Sequence, residues 1–356
     1  MNRKYPHGVM YPSIQTKTHS CDNPHVVILG AGFSLAALPN GDKSGKKLPL
    51  MNNLWKTLEF DREYPNLNPW AEGKNFEDLF QELKITHPDI ASQLEGRIYS
   101  YFDSLHLPDE PTLYDALVLS YREKDAIATF NWDPFLIQAI RRNLHTHRQP
   151  QVFCLHGNVA VGACIGCRVK GLISQSCNKC GKPLSRSKLL YPVKEKGYKN
   201  DPFISSEWDA CLKYLEMAYM VTVIGYSAPK SDIEAISLMK KAWNKNVSNE
   251  LALFHIVDIK KEVEVKKSWK SFSAKLEFGY SNSIFDSWTG MHPRRSCDAY
   301  VMATMQQAPE PEYRLERLPS TLEELRSFFQ PLIDSEEVSE RKGVPLIFNP
   351  NRQRTS

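Results

Sequence analysis

The chain has 356 residues, 42% of them apolar and 24% charged, with a net charge of +4. That is the balance of an ordinary globular protein, long enough for one large domain or for one domain with an inserted module. So small a charge does not argue for nucleic acid, and the local clusters Lys43, Lys46, Lys47 and Arg141, Arg142, Arg148 read as solvated faces. No apolar run reaches the roughly 18 residues of a membrane span.

Residues 1–24 read as an N-terminal arm, polar and basic and without the apolar core of a secretory signal. The first strand is His25–Gly30, a continuous apolar run ended by glycine, as suits a strand buried on both faces of a parallel sheet. A polar loop follows from Leu38 to Pro49. From about Met51 to Leu119 the spacing is helical, as at Phe76, Leu79, Phe80 and Leu83, and 51–120 reads as a helical insertion.

A second strand, Ala126–Phe130, leads into a helix over Pro134–Leu144, and a third strand is Val152–Leu155. A cysteine module occupies 157–190. Beyond it come a helix over Ser206–Ala218, a strand at Met220–Gly225, a helix over Ser231–Trp243 and a strand at Leu251–Val257. Strands alternating with helices predict an α/β fold with a doubly wound parallel sheet over 25–275. In the extension 276–356, Leu318–Ile333 reads as one amphipathic helix and Arg341–Ser356 as a loose tail.

Five segments carry chemistry. Gly30-Ala31-Gly32-Phe33-Ser34 follows the first strand, where glycines let backbone N–H groups approach a pyrophosphate; a turn that merely saves space fits as well. Thr129-Phe130-Asn131-Trp132-Asp133 ends the second strand, where Asn131 can bond a ribose hydroxyl or hold a water, and Asp133 either supports it or caps the next helix. Leu155-His156-Gly157-Asn158 ends the third and offers His156 as an acid–base group, although a lone histidine is more often structural. Gly225-Tyr226-Ser227 and Asp258 end the next two strands, with Ser231 as a helix cap; they offer close approach, hydroxyls and a carboxylate for phosphate or ribose.

The fifth segment is the most specific. Four of the eight cysteines, Cys164, Cys167, Cys177 and Cys180, form two CxxC pairs nine residues apart. That spacing brings four thiolates onto one Zn²⁺ in a closed structural site, in a reducing cytoplasmic setting.

Taken in order, the five segments resemble the sirtuin family over about Val26 to Asp258. GAGFS is similar to the sirtuin GAG-x-S turn, TFNWD to TQNID, LHG to the catalytic-histidine motif, and GYS to GTS, with the CxxC pairs following the histidine. The resemblance implies a Rossmann-like domain that takes NAD⁺ as substrate. Gly30, Ala31, Gly32, Phe33, Ser34, Gly225, Tyr226, Ser227 and Asp258 would line its site, and Asn131, Asp133 and His156 would be catalytic.

The departures lie on the peptide side. Ala37-Leu38-Pro39-Asn40-Gly41-Asp42 replaces the Gly-Ile-Pro-Asp-Phe-Arg of protein deacylases, Phe130 replaces a glutamine, and Tyr191–Glu195 has no Phe-Gly-Glu. Asn131-Trp132-Asp133 and Phe76-Glu77-Asp78 resemble instead the divergent bacterial NADases that act as anti-phage effectors. The expectation is therefore hydrolysis of NAD⁺ to nicotinamide and ADP-ribose, with the loop Leu38–Pro49 closing over the nicotinamide. The effector would be restrained in a homo-oligomer or by a HerA-type ATPase or another defence partner. An NAD-dependent protein deacylase and a non-enzymatic NAD⁺ or ADP-ribose sensor are the alternatives.

Overall fold

The computed structural model describes residues 22–191, 197–229, 232–246, 251–269, 272 and 278–351. The chain opens with β1 (His25–Leu29) and α1 (Ala31–Ala37). The insertion follows as α2 (Leu54–Thr57), α3 (Phe60–Glu63), α4 (Asn68–Ala71), α5 (Phe76–Thr86), α6 (Pro88–Asp103) and α7 (Leu113–Leu119). Next come β2 (Ala126–Thr129), α8 (Phe135–Arg142) and β3 (Gln151–Cys154). Three short strands, β4 (Val161–Cys164), β5 (Val169–Leu172) and β6 (Ser185–Arg186), make the cysteine module. The second half has α9 (Pro202–Met217), β7 (Met220–Ile224), α10 (Ile233–Trp243), β8 (Leu253–Val257), α11 (Glu262–Trp269) and β9 (Phe278–Ser281). It ends with α12 (Trp288–Met291), α13 (Ser296–Thr304) and α14 (Leu322–Lys342).

Among the described residues the main sheet has six strands in the order β3-β2-β1-β7-β8-β9, all parallel. The sheet is doubly wound and parallel as predicted, and its order places the topological switch between β1 and β7. The register aligns the strand ends: Leu29 pairs with Thr129 on one side and with Ile224 on the other. The turns after β1, β2 and β7 therefore leave the sheet side by side.

Burial on both faces explains the unbroken apolar strands. Val27 and Leu29 pack into the core built with the insertion helices, whereas Val26 and Ile28 pack with residues of α9 and α10. The insertion is helical as expected. Asn75 caps α5 by accepting from Asp78 N–H at 2.9 Å, and Phe76, Leu79, Phe80 and Leu83 form its buried face.

Several boundaries differ from the sequence reading. Helix α9 starts at Pro202 instead of Ser206, because Asp201 accepts the Phe203 and Ile204 N–H groups and proline suits the first turn. Helix α14 runs on to Lys342, past Pro331, between a capping box of Thr321 and Glu324 and the left-handed Gly343. The tail is not loose as far as Phe348: Ile347 O accepts from Arg295 Nε at 3.1 Å, and the Phe348 ring meets His292 edge-on. Strand β9, helix α11 and helix α13 were not anticipated. Ser231, expected as a helix cap, lies outside the described residues, as does most of the N-terminal arm.

The cysteine module is a three-stranded antiparallel sheet, β5-β4-β6, with a small core of Val169, Cys177 and Leu184. Lys170 of β5 ties it to the main domain. Its ammonium lies 2.8 Å from both carboxylate oxygens of the buried Glu207 on α9, and Glu207 also accepts the Cys154 N–H of β3 at 2.8 Å. No described helix is long and apolar enough to cross a membrane.

Candidate functional site

At the switch point two turns touch. Gly32 N–H donates to Gly225 O at 2.9 Å, and Gly30 N–H donates to Ile224 O at 3.1 Å. Gly225 has φ +61, and a Cβ there would lie 2.3 Å from the Phe33 nitrogen. Only glycine meets both demands. A Cβ on Gly30 would likewise lie 2.6 Å from Gly225 O. Ala31 and Ser227 are exposed on this rim, whereas the Phe33 side chain turns into the core and meets the Tyr114 ring edge-on at 4.8 Å.

Below the rim, four polar side chains form a buried cluster. Ser34 Oγ donates to Asp133 Oδ2 at 2.7 Å and lies 2.8 Å from Tyr114 Oη. Asn131 Nδ2 donates to Ser34 Oγ at 2.9 Å and to Gly30 O at 3.1 Å. The bend after β2 holds Asn131, its N–H donating to Thr129 Oγ1 at 3.0 Å. Asn158 Nδ2 donates to Asp133 O at 2.6 Å, so the segment after β3 braces the segment after β2.

Asp133 does begin α8 as an acceptor for Phe135 N–H, but at 3.3 Å, and its shorter bond is to Ser34. Burial pushes its carboxyl up to about 6 against the opposing help of these hydrogen bonds. Burial first, then the nearby Asp133, pushes the Tyr114 phenol well above its usual range. Tyr114 was not visible as a site residue, because a tyrosine at core spacing in α7 looks like packing.

Phe130 and Asn131 are consecutive, yet their side chains serve different groups. The Phe130 ring stacks on Tyr226 at 4.3 Å and 7° and meets the His156 imidazole edge-on at 4.7 Å. His156 Nε2 lies 3.1 Å from Tyr198 Oη and 3.9 Å from Asp232 Oδ1. Tyr226 Oη donates to Asp232 Oδ2 at 2.7 Å. The sequence reading missed Tyr198, which follows no motif, and gave no role to Asp232, which closes the segment Gly225–Asp232 after β7.

Gly157, at φ +79, holds the backbone beside His156; a Cβ there would lie 2.0 Å from Lys188 O. The structure thus brings Gly30, Ser34, Asn131 and Asp133 into one group and His156 and Tyr226 into a neighbouring one. Asp258 stands apart from both groups, at the end of β8 beside the Gly225 turn, and its Oδ1 accepts from Lys260 N–H at 2.9 Å. The loop 38–49 is anchored: buried Asp42 accepts the N–H groups of Ser44, Lys46 and His106 at 2.8 to 3.0 Å. The first two bonds lie within the loop, so closure by this loop as a unit would have to break its bonds to His106.

The four module cysteines converge, with all Sγ atoms within 4.8 Å of one another and Cys164 and Cys180 at 3.7 Å. Thiolates at about 2.3 Å from a tetrahedral zinc sit about 3.8 Å apart, so the cluster fits a structural zinc closed to further ligands.

No family model and no curated protein matches the sequence. Solved structures that the chain is similar to include a Sir2 homologue mutant with ADP-ribose, at 15% identity over 72% of this chain and 97% of that chain, TM-score 0.31. Another is a Sir2 homologue–NAD complex, at 14% identity over 80% and 92%, TM-score 0.34. A third is Sir2 with the inhibitor EX-527, 2′-O-acetyl-ADP-ribose and a deacetylated p53 peptide, at 15% identity over 80% and 94%, TM-score 0.36.

Proposed function

We propose that this chain binds NAD⁺ across the switch point between β1 and β7 and hydrolyses its nicotinamide–ribose bond. The observation that carries the reading is the buried cluster of Ser34, Asn131 and Asp133 directly beneath the Gly30–Gly225 contact. In an open α/β sheet a dinucleotide sits in the crevice at this position. The exposed Ala31 and Ser227 are where its phosphates would meet the chain, with Asp258 reserved for the far ribose.

Nicotinamide leaves with the bonding electron pair and is neutral, so positive charge builds on the ribose. Asn131 orients the ribose or the attacking water. Ionised Asp133 stabilises the cation and keeps Asn131 aligned through Ser34. His156 takes the proton that water gives up as the new carbon–oxygen bond forms. The products are nicotinamide, ADP-ribose and one proton.

The test is nicotinamide release by the purified chain, in wild type and in Asn131→Ala plus His156→Ala. Release of similar rate in the double variant sinks the reading. Retention of the cysteine module favours a second one, an NAD-dependent deacylase, which requires an acyl-lysine peptide for any nicotinamide release. The resemblance to anti-phage effectors supports restraint by a homo-oligomer or a HerA-type ATPase. A monomer with full, unregulated turnover contradicts that part.

A further inference from the structure

The carboxylate of Asp232 is buried at the start of α10, and it does not cap that helix: no N–H of the first turn donates to its side chain. The ordinary reason for an aspartate at such a position is therefore missing. Its oxygens face inward instead. Oδ2 accepts from Tyr226 Oη at 2.7 Å, and Oδ1 stands 3.9 Å from His156 Nε2, within ion-pair range but beyond a hydrogen bond.

The imidazole is enclosed by aromatic rings. Phe130 meets it edge-on, and Tyr198 lies nearly parallel at 5.8 Å and 16°. In so dry a setting, one carboxylate close to a ring nitrogen decides how readily that ring accepts a proton. Tyr226 fixes where this carboxylate sits, since its own ring is clamped flat against Phe130.

We propose that Asp232 is a positioning residue for His156: the Tyr226 hydroxyl holds its carboxylate 3.9 Å off the imidazole, close enough for its charge to favour the protonated ring as the proton arrives. This deepens the reading of His156 as the acid–base group and rests on it. Among the described residues the other titratable groups facing this pocket are Tyr198 and Tyr226, with Glu77 from α5 and Glu234 from α10 acting electrostatically on Tyr198. Both glutamates carry the same sign as Asp232.

The experiment follows the His156 ring protons by NMR in the full chain without ligand, from acid to alkaline pH, with His156→Gln assigning the signal. Asp232→Asn is expected to lower the His156 midpoint by about one pH unit, and the acid limb of nicotinamide release by the same amount. A midpoint that stays put overturns the proposal. If Asp232→Asn does not fold, Tyr226→Phe decides: it frees the carboxylate to close on His156 and is expected to raise the midpoint, and an unmoved or lowered midpoint overturns the proposal. A wild type that releases no nicotinamide while Asp232→Asn shifts the midpoint overturns the NAD⁺ reading and leaves the role of Asp232 standing.

Discussion

Ser34 and Asp133, 99 positions apart, are joined by a 2.7 Å hydrogen bond in which the Ser34 hydroxyl donates to the Asp133 carboxylate. The same hydroxyl oxygen receives Asn131 Nδ2 at 2.9 Å, so one small side chain sets two others. Ser34→Ala removes a donor and an acceptor from a buried cluster. The expected cost is about 2 kcal/mol in urea denaturation, from the polar groups left unsatisfied. On the proposed function, nicotinamide release falls with it, because Asn131 loses its alignment.

Asp133 itself makes stability depend on pH. Its folded-state pKa, about 6, lies above the unfolded value of 3.8 because burial disfavours the ion. The fold therefore favours the protonated form. The stabilisation is fully present below about pH 4 and is lost as pH rises through 6. Asp133→Asn, neutral at every pH, should become more stable than wild type as pH rises from 4 to 7, by on the order of 3 kcal/mol at the upper end. Denaturation curves at several pH values check this. A difference that does not change with pH would mean that Asp133 is not the titrating group.

The zinc module gives two further outcomes. Metal analysis of the purified chain should find one zinc per chain. A chelator or Cys167→Ser should remove it and lower the melting temperature, because the metal cross-links the two CxxC turns and the module otherwise has a core of Val169, Cys177 and Leu184 alone.

Lys170→Met should cost about 3 kcal/mol even with zinc bound, since it strands the buried Glu207 carboxylate without its cation. The paired change Lys170→Met with Glu207→Leu should recover part of that loss, and denaturation of both variants measures the difference.

The architecture was readable because its causes are local. Apolar runs such as His25–Leu29 end in glycine, helices begin at caps, and four cysteines in two pairs leave little but a metal site. The site was readable only where a residue stood in a motif at a strand's end: Ser34, Asn131, Asp133 and His156. Tyr114 and Tyr198 reach those residues from a helix and a loop outside the motifs, whereas Asp232 closes the segment that begins at Gly225 and had been given no role. The partners of the two tyrosines are 80 and 42 positions away, separations at which spacing carries no signal. Edge strand β9 was missed for a similar reason: its register is set by β8, not by its own pattern. Helix α14 outran its apolar face because Gly343, not hydrophobic periodicity, decides where it stops.

Gly225 offers the sharpest test of the switch point. Its φ of +61 is in the left-handed region, and a Cβ would stand 2.3 Å from the Phe33 nitrogen and 2.6 Å from the Gly32 carbonyl carbon. Both are backbone atoms, so no side chain can swing aside. Gly225→Ala therefore has to drive the turn after β7 away from the turn after β1, breaking the Gly32 N–H to Gly225 O bond. The strain alone should cost more than about 1 kcal/mol. Gly343 serves as the control: it has φ +68 but open space around it, so Gly343→Ala pays only the backbone penalty. The expected result is a much larger loss of stability in Gly225→Ala than in Gly343→Ala, together with weaker NAD⁺ binding by calorimetry in the first variant alone. Equal losses in the two would show that the contact between the turns does not hold the switch point together.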